Sequence, residues 1–242
     1  MNKLIVLNID FTSKAGDKNF IHPVIIQSEK ENILIDCGNL GFLPLLEKEA
    51  KKYNFDFSQL TKIIITHHDH DHIGALYEIK EKYPHIQVAS SLVEKPYIEG
   101  KKKSLRLEQA ERIYSTLSEE EKVNAEYFHN MLKAIKHVPI DITIDENTKI
   151  DWCEELKIIA TPGHMPGHIS IYLEKFKTLI TGDAMVAENG NLLLANPQFT
   201  LDMNEAINSI RKFLNYDIQQ VVCYHGGIIT GDVTSILKNL LK

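Results

Sequence analysis

Nine residues, Thr66 to Gly74 (THHDHDHIG), hold four of the chain's eleven histidines together with Asp69 and Asp71. Imidazole and carboxylate at this density form the donor set of a metal site. Imidazole suits zinc and iron, and carboxylate adds charge and favours harder ions. In an extended loop, residues i and i+2 point the same way. His67, Asp69 and Asp71 therefore share a side, and His72 follows at the start of the next helix. The competing register uses His68 and His70.

Three further stretches offer a His or Asp beside a glycine, each directly after an apolar run. They are TPGHMPGH (Thr161–His168), TGDA (Thr181–Ala184) and YHGG (Tyr224–Gly227). A lone histidine at a strand end is usually structural, but four strand ends that agree point to one shared site.

The elements that must position these loops follow from the pattern. Lys62–Thr66 (KIIIT) is a continuous apolar run, which predicts a strand buried on both faces. Leu4–Ile9, Val24–Gln27, Asn32–Ile35 and Ile86–Ala89 read as strands, and Leu43–Tyr53 and Ala75–Tyr83 as helices. Strands are expected again at Val138–Ile144, Leu156–Ala160, His168–Leu173, Thr178–Thr181 and Gln219–Cys223. Helices are expected at Met203–Leu214, capped by Asp202, and at Val233–Leu241. Between the halves, about residues 90–137, the spacing turns helical, and Ser118 with Glu121 has the form of a capping box. Two halves of strands followed by helices predict two packed sheets with helices outside. The expectation is one domain, residues 1–242, with a helical cap inserted at about 90–137.

Composition narrows the class. The chain has 242 residues, a net charge of -6, a pI near 6.0 and 43% hydrophobic residues. The acidic balance argues against nucleic acid as a partner. Lys101–Lys103 is the only basic run. No stretch approaches the 18 or so apolar residues that a membrane span needs. Cys37, Cys153 and Cys223 are odd in number and widely spaced, which speaks for a reducing compartment and a cytoplasmic location.

Together these motifs resemble the metallo-β-lactamase superfamily. The family's first loop is T-H-x-H-x-D-H-x-G, and Asp71-His72-Ile73-Gly74 sets its register here. The resemblance implies an α+β, four-layer αββα sandwich with a dinuclear metal site at one sheet edge. It implies His67, Asp69 and His164 at one metal and Asp71, His72 and His225 at the other, with Asp183 shared. Asp69 stands where most members carry a second histidine. His68 and His70 are then not ligands, His168 supports rather than ligates, and Asp36 is a supporting aspartate. Two divalent ions are implied, zinc first, with manganese or iron as alternatives.

In such a site two metals share a water and lower its pKa to about 7. The expected activity is a metal-dependent hydrolase in which a bridging hydroxide attacks a small ester, thioester or lactone, with Asp71 as catalytic proton acceptor. The segment Asn196–Met203 is similar to bacterial metallo-hydrolases of unassigned substrate. N-acyl-homoserine lactonases share the pattern, and often the His22-Pro23-Val24 phrase, but commonly carry a tyrosine where this chain has Val186. Diiron oxygen or nitric oxide reductases share the carboxylate at the Asp69 position and work with a flavin-bearing domain, of which there is no sign before Lys242. A binding protein with a degenerate site is the remaining alternative, although all seven positions hold metal-capable residues. Tyr97, Tyr114, Tyr127 and Tyr224 are candidate substrate contacts, and the cap's apolar face is the expected pocket.

Overall fold

The computed structural model describes residues 3–13, 16–153 and 155–242. The chain opens with β1 (Lys3–Val6), β2 (Ile9–Thr12), β3 (Lys18–Ile21), β4 (Val24–Gln27), β5 (Asn32–Ile35) and α1 (Leu43–Lys52). Next come β6 (Lys62–Ile65), the single turn α2 (His70–Ile73), α3 (Leu76–Lys82) and β7 (Gln87–Ser90). Three helices follow, α4 (Lys95–Ile98), α5 (Leu105–Tyr114) and α6 (Glu119–Lys133), and then the two-residue β8 (Ile142–Thr143). The second half holds β9 (Leu156–Ala160), β10 (Ile169–Leu173), β11 (Thr178–Ile180), β12 (Met185–Glu188) and β13 (Asn191–Leu194). It closes with α7 (Met203–Arg211), β14 (Gln220–Cys223), β15 (Gly227–Thr230) and α8 (Val233–Leu240).

Two sheets form the centre. One has the order β1-β4-β5-β6-β7-β8 and the other β15-β14-β11-β10-β9. Alternation along the strands sorts their side chains into layers. Ile33, Ile35 and Ile64 of the first sheet meet Ile158, Ile171 and Val222 of the second between the sheets. Ile63 and Ile65 turn outward instead, onto Leu46 of α1 and Ile79 of α3. The second sheet likewise packs Leu179 and Val221 outward against Ile210 of α7 and Leu237 of α8. This is the expected αββα layering, and KIII of β6 is buried at every position.

The helical segment between β7 and β8 closes on itself through Leu107, Ala110, Phe128 and Leu132. Ser118 and Glu121 form the expected capping box at the start of α6, and Asp202 accepts the Glu205 amide at 2.9 Å to cap α7.

Three expectations need correction. Leu4–Ile9 is two strands: the Leu7 amide makes one more rung in register, to Pro23 O at 2.9 Å, and Pro23 has no N–H to return it. Val138–Ile144 is a strand only at Ile142–Thr143, since the Val138 and Ile140 amides on either side of Pro139 bond to Ile98 O and Glu99 Oε1 at the end of α4 rather than to β7. The hairpins β2–β3 and β12–β13 and the edge strand β15 were not expected at all.

Candidate metal centre

The four motif loops leave the C-terminal ends of β6, β9, β11 and β14. β9 and β11 each pair antiparallel with β10, and β11 pairs parallel with β14, so these three run in the same direction. Their loops meet the β6 loop at one edge of the sandwich.

All seven expected donors converge there. Asp69 Oδ2 lies 3.5 Å from His67 Nε2 and 3.1 Å from His164 Nε2. His225 Nε2 lies 3.1 Å from Asp71 Oδ2, and His72 Nε2 lies 3.9 Å from the same oxygen. Asp183 faces both groups, with Oδ2 at 3.6 Å from His164 Nε2 and from His225 Nε2, and Oδ1 at 3.3 Å from His72 Nε2. Three sets fit a cation geometrically: His67–Asp69–His164, His67–His72–Asp183 and Asp71–His72–His225.

The supporting contacts fix these rings. Asp36, held at a φ of 57°, accepts the Thr66 amide at 2.8 Å, the Thr66 hydroxyl at 2.7 Å and His72 Nδ1 at 2.9 Å. His72 thus turns Nε2 toward Asp183. His168 accepts the Asp183 amide on Nε2 at 3.0 Å and donates from Nδ1 to the Thr161 hydroxyl at 2.8 Å. Both its nitrogens are used, so it supports and does not ligate. Gly182 has a φ of 53°, and a Cβ there would sit 2.8 Å from His168 Nε2, so the TGD turn requires glycine.

His68 points away from the centre. Its ring binds the buried Glu94, stacks on Tyr97 at 4.4 Å and accepts the Leu105 amide on Nε2 at 3.3 Å. Glu94 also accepts the His68 amide at 2.9 Å and the Gly167 amide at 2.8 Å, joining two of the motif loops. His70 lies beside the centre rather than in it, with Nδ1 3.7 Å from Asp71 Oδ1 and its ring edge-on to Phe128 at 5.6 Å. Of the tyrosines, Tyr114 bonds Glu126 and Tyr224 donates to Asp71 O and accepts from Gly38 N–H, so their hydroxyls are committed elsewhere. Tyr127 alone of the four lines a cavity that reaches the centre. Cys223 is buried, and burial pushes its thiol up to about 12, which excludes a nucleophilic thiolate.

Helix α6 stands between two cavities. One, of about 370 Å³, is lined by Arg106, Phe128, Val186 and Phe199 beside the centre. The other, of about 590 Å³, is lined by Tyr127, Met131 and Ile135. His70, Asp71 and His225 border both.

Four buried atoms of the seven residues make no hydrogen bond: His164 Nδ1 and, turned to one another at the centre, His67 Nε2, His72 Nε2 and Asp183 Oδ1. Buried polar atoms normally find a partner, so the last three are free to bind an ion. Charge inside the cluster is uneven. Burial opposes ionisation of Asp69, Asp71 and Asp183, but the surrounding cations hold all three below the usual carboxylate range: Arg106 first for Asp69, His72 for Asp71 and His225 for Asp183. Burial likewise opposes the charging of His72 and His225, but Asp183 leads the carboxylates that raise both, His225 to about 10. His67, by contrast, is pushed down by burial and by His72. An arriving divalent ion would replace the protons on His72 and His225.

Arg106 is a residue that sequence reasoning missed. It is one of only three arginines in a chain with 27 basic residues, and it sits between Leu105 and Leu107 on a predicted helix. That scarcity was the available signal.

Comparisons with known proteins identify the family. The family model of the Metallo-beta-lactamase superfamily matches residues 16–225. The probable metallo-hydrolase YflN of Bacillus subtilis (strain 168) is 29% identical over 226 residues, covering 86% of this chain and 82% of that protein. A hydroxyacylglutathione hydrolase of Synechococcus is 25% identical over 156 residues, covering 64% of this chain and 45% of that one. Among solved structures, a metallo-beta-lactamase family protein of Thermus thermophilus, TTHA1429, superposes with a TM-score of 0.70 at 20% identity. It covers 98% of this chain and 78% of that chain, a likeness of fold. The chain belongs to the metallo-β-lactamase superfamily. It is a hydrolase of that superfamily with a His/Asp cluster able to hold metal.

Proposed function

We propose that the chain hydrolyses a small ester or thioester with an apolar acyl part, using two divalent ions, zinc first, at the edge of the sandwich. His67, Asp69 and His164 would hold one ion and Asp71, His72 and His225 the other, with Asp183 facing both sets of donors. The observation that carries this reading is the set of buried, unbonded donors His67 Nε2, His72 Nε2 and Asp183 Oδ1 at the meeting point of four loops. When bound, such a pair supplies an acidified water and polarises the substrate oxygen.

The protein groups do the rest. Asp71, kept ionised and bordering both cavities, accepts a proton from a water beside it. Phe128, Val186 and Phe199 give the acyl part a dry surface. The thioester option draws on the hydroxyacylglutathione hydrolase relative, and the lactone option is weakened by Val186, which offers no hydroxyl to a substrate carbonyl. Residues 90–137 act as a cap on a single domain of residues 1–242. The buried thiols of Cys37 and Cys223 fit a reducing cytoplasm. No helix among the described residues is long and apolar enough to cross a membrane, and the partner is a small molecule rather than nucleic acid. The carboxylate at Asp69 favours one second reading, a diiron redox site.

Metal analysis of protein purified without added metal tests both. Between about one and two equivalents of zinc or manganese, with turnover in a screen of esters, thioesters and lactones, is the expected result. Predominant iron with oxygen consumption moves the reading to redox chemistry. Metal far below one equivalent overturns the ligand assignment.

A further inference from the structure

Arg106 comes from α5, in the helical segment, yet its guanidinium lies in the metal loop. It is 3% exposed. Its Nε lies 3.2 Å from both oxygens of Asp69, and its Nη2 lies 2.6 Å from Oδ2. The same Nη2 lies 3.4 Å from His164 Nε2 and donates to Phe199 O at 2.7 Å. Gln109 accepts from Nη1, and the Phe199 ring centroid is 5.3 Å from the guanidinium carbon. The group is fixed on every side.

Asp69 Oδ2 is the oxygen that faces His67 and His164, and it is the oxygen that Arg106 binds most closely. Nη2 therefore already contacts two of the three donors assigned to the first ion. The charges point the same way. With neutral imidazoles, the His67–Asp69–His164 corner carries one carboxylate, which Arg106 neutralises. The other corner has Asp71, and Asp183 faces both corners. Among the described residues, no lysine or arginine pairs with Asp71 or Asp183, so no such cation neutralises them. A cation placed beside a buried guanidinium is repelled strongly where the dielectric is low.

We propose that Arg106 acts as a built-in counter-cation at the His67–Asp69–His164 corner, so that the two metal positions load unequally, Asp71–His72–His225 with Asp183 first and the Arg106 corner second and weakly. The proposal rests on the metal-centre reading above and adds an order of filling to it. Arg106 is a positioning residue here, acting through Asp69.

Zinc titration of the metal-free protein against a chromophoric chelator tests it. The wild type should bind in two steps separated by at least about tenfold in affinity. Asp69→Asn should remove the weak step and keep the tight one. Arg106→Gln should tighten the weak step by about tenfold or more and leave the tight step unchanged. Arg106→Lys, which keeps the charge, should keep the step weak. Two equal steps in the wild type, or loss of the tight step in Asp69→Asn, overturn the proposal even if Arg106→Gln fails to fold. A folded Arg106→Gln whose weak step is unchanged or weaker also overturns it, and assigns Arg106 to holding Asp69 ready for the ion. No zinc binding at any step overturns the metal-centre reading itself.

Discussion

His72 Nδ1 donates to Asp36 Oδ2 at 2.9 Å, a contact between a motif histidine and an aspartate 36 residues earlier in the chain. It fixes which nitrogen of His72 is protonated and which faces Asp183. Partners of this kind typically govern metal affinity by about 10- to 100-fold. Asp36→Ala should weaken zinc binding within that range, measured by chelator competition. It also strips the Thr66 amide of its acceptor, at a cost of about 1–3 kcal/mol, read from urea unfolding of the metal-free protein. Unchanged zinc affinity would show that Asp36 serves the fold alone.

Glu94 has no contact with the donors, yet it holds the first loop through His68 and the second through Gly167. Removing Glu94 leaves the His68 amide, His68 Nδ1 and the Gly167 amide without their acceptor, at about 1–3 kcal/mol for each buried donor. Glu94→Ala should lose stability on that scale by urea denaturation, with Glu94→Gln losing less. A loss under about 1 kcal/mol would mean that the loops are held by their own packing.

Glu99, at the end of α4, is bonded by Lys101, the Ile140 amide and Lys95, which bring its carboxyl down to about 2 from an ordinary 4.5. A depressed folded value means stability that is present above about 4.5 and lost as the pH falls through about 2. The stability gap between wild type and Glu99→Gln should therefore be full at neutral pH and shrink between those limits. A gap constant with pH, in urea melts across the range, would remove the ionic contribution.

Zinc itself should stabilise the fold, because the seven donors meet only in the native chain. At a free concentration of about 100 times Kd the gain is about 2.7 kcal/mol, or about 5–10 °C in Tm for a domain of this size. Thermal unfolding with and without zinc measures it, and a flat response would mean that the cluster does not bind the ion.

Much of the site was legible because the motif loops are local in sequence. A buried strand, KIII of β6, delivers its loop to the sheet edge whatever lies elsewhere. The i, i+2 alternation reaches only from His67 to Asp69, because α2 begins at His70, not at His72, and carries Asp71 in its first turn. Arg106 was not legible, since its partner Asp69 is 37 residues away across a helical segment with no periodic tie to the loop. The β12–β13 hairpin was missed for another reason. Its turn, Asn189-Gly190, takes φ values of 50° and 78°, a signal of the tight hairpin class that was present in the sequence and went unread. The strand expected over Val138–Ile144 failed because the first half of that stretch bonds the end of α4, through the Val138 and Ile140 amides, a tertiary contact that β propensity does not show.

Helix α6 shows Phe128 to one cavity and Tyr127 and Met131 to the other, with Ile135 just past its end, while His70, Asp71 and His225 border both. Substitutions on these two sets of positions reshape different compartments. A lineage could therefore change what the enzyme accepts on one side of the scissile bond while the other side stays as it was. The reacting groups, held by the sheets rather than by the helix, would take no part in that drift.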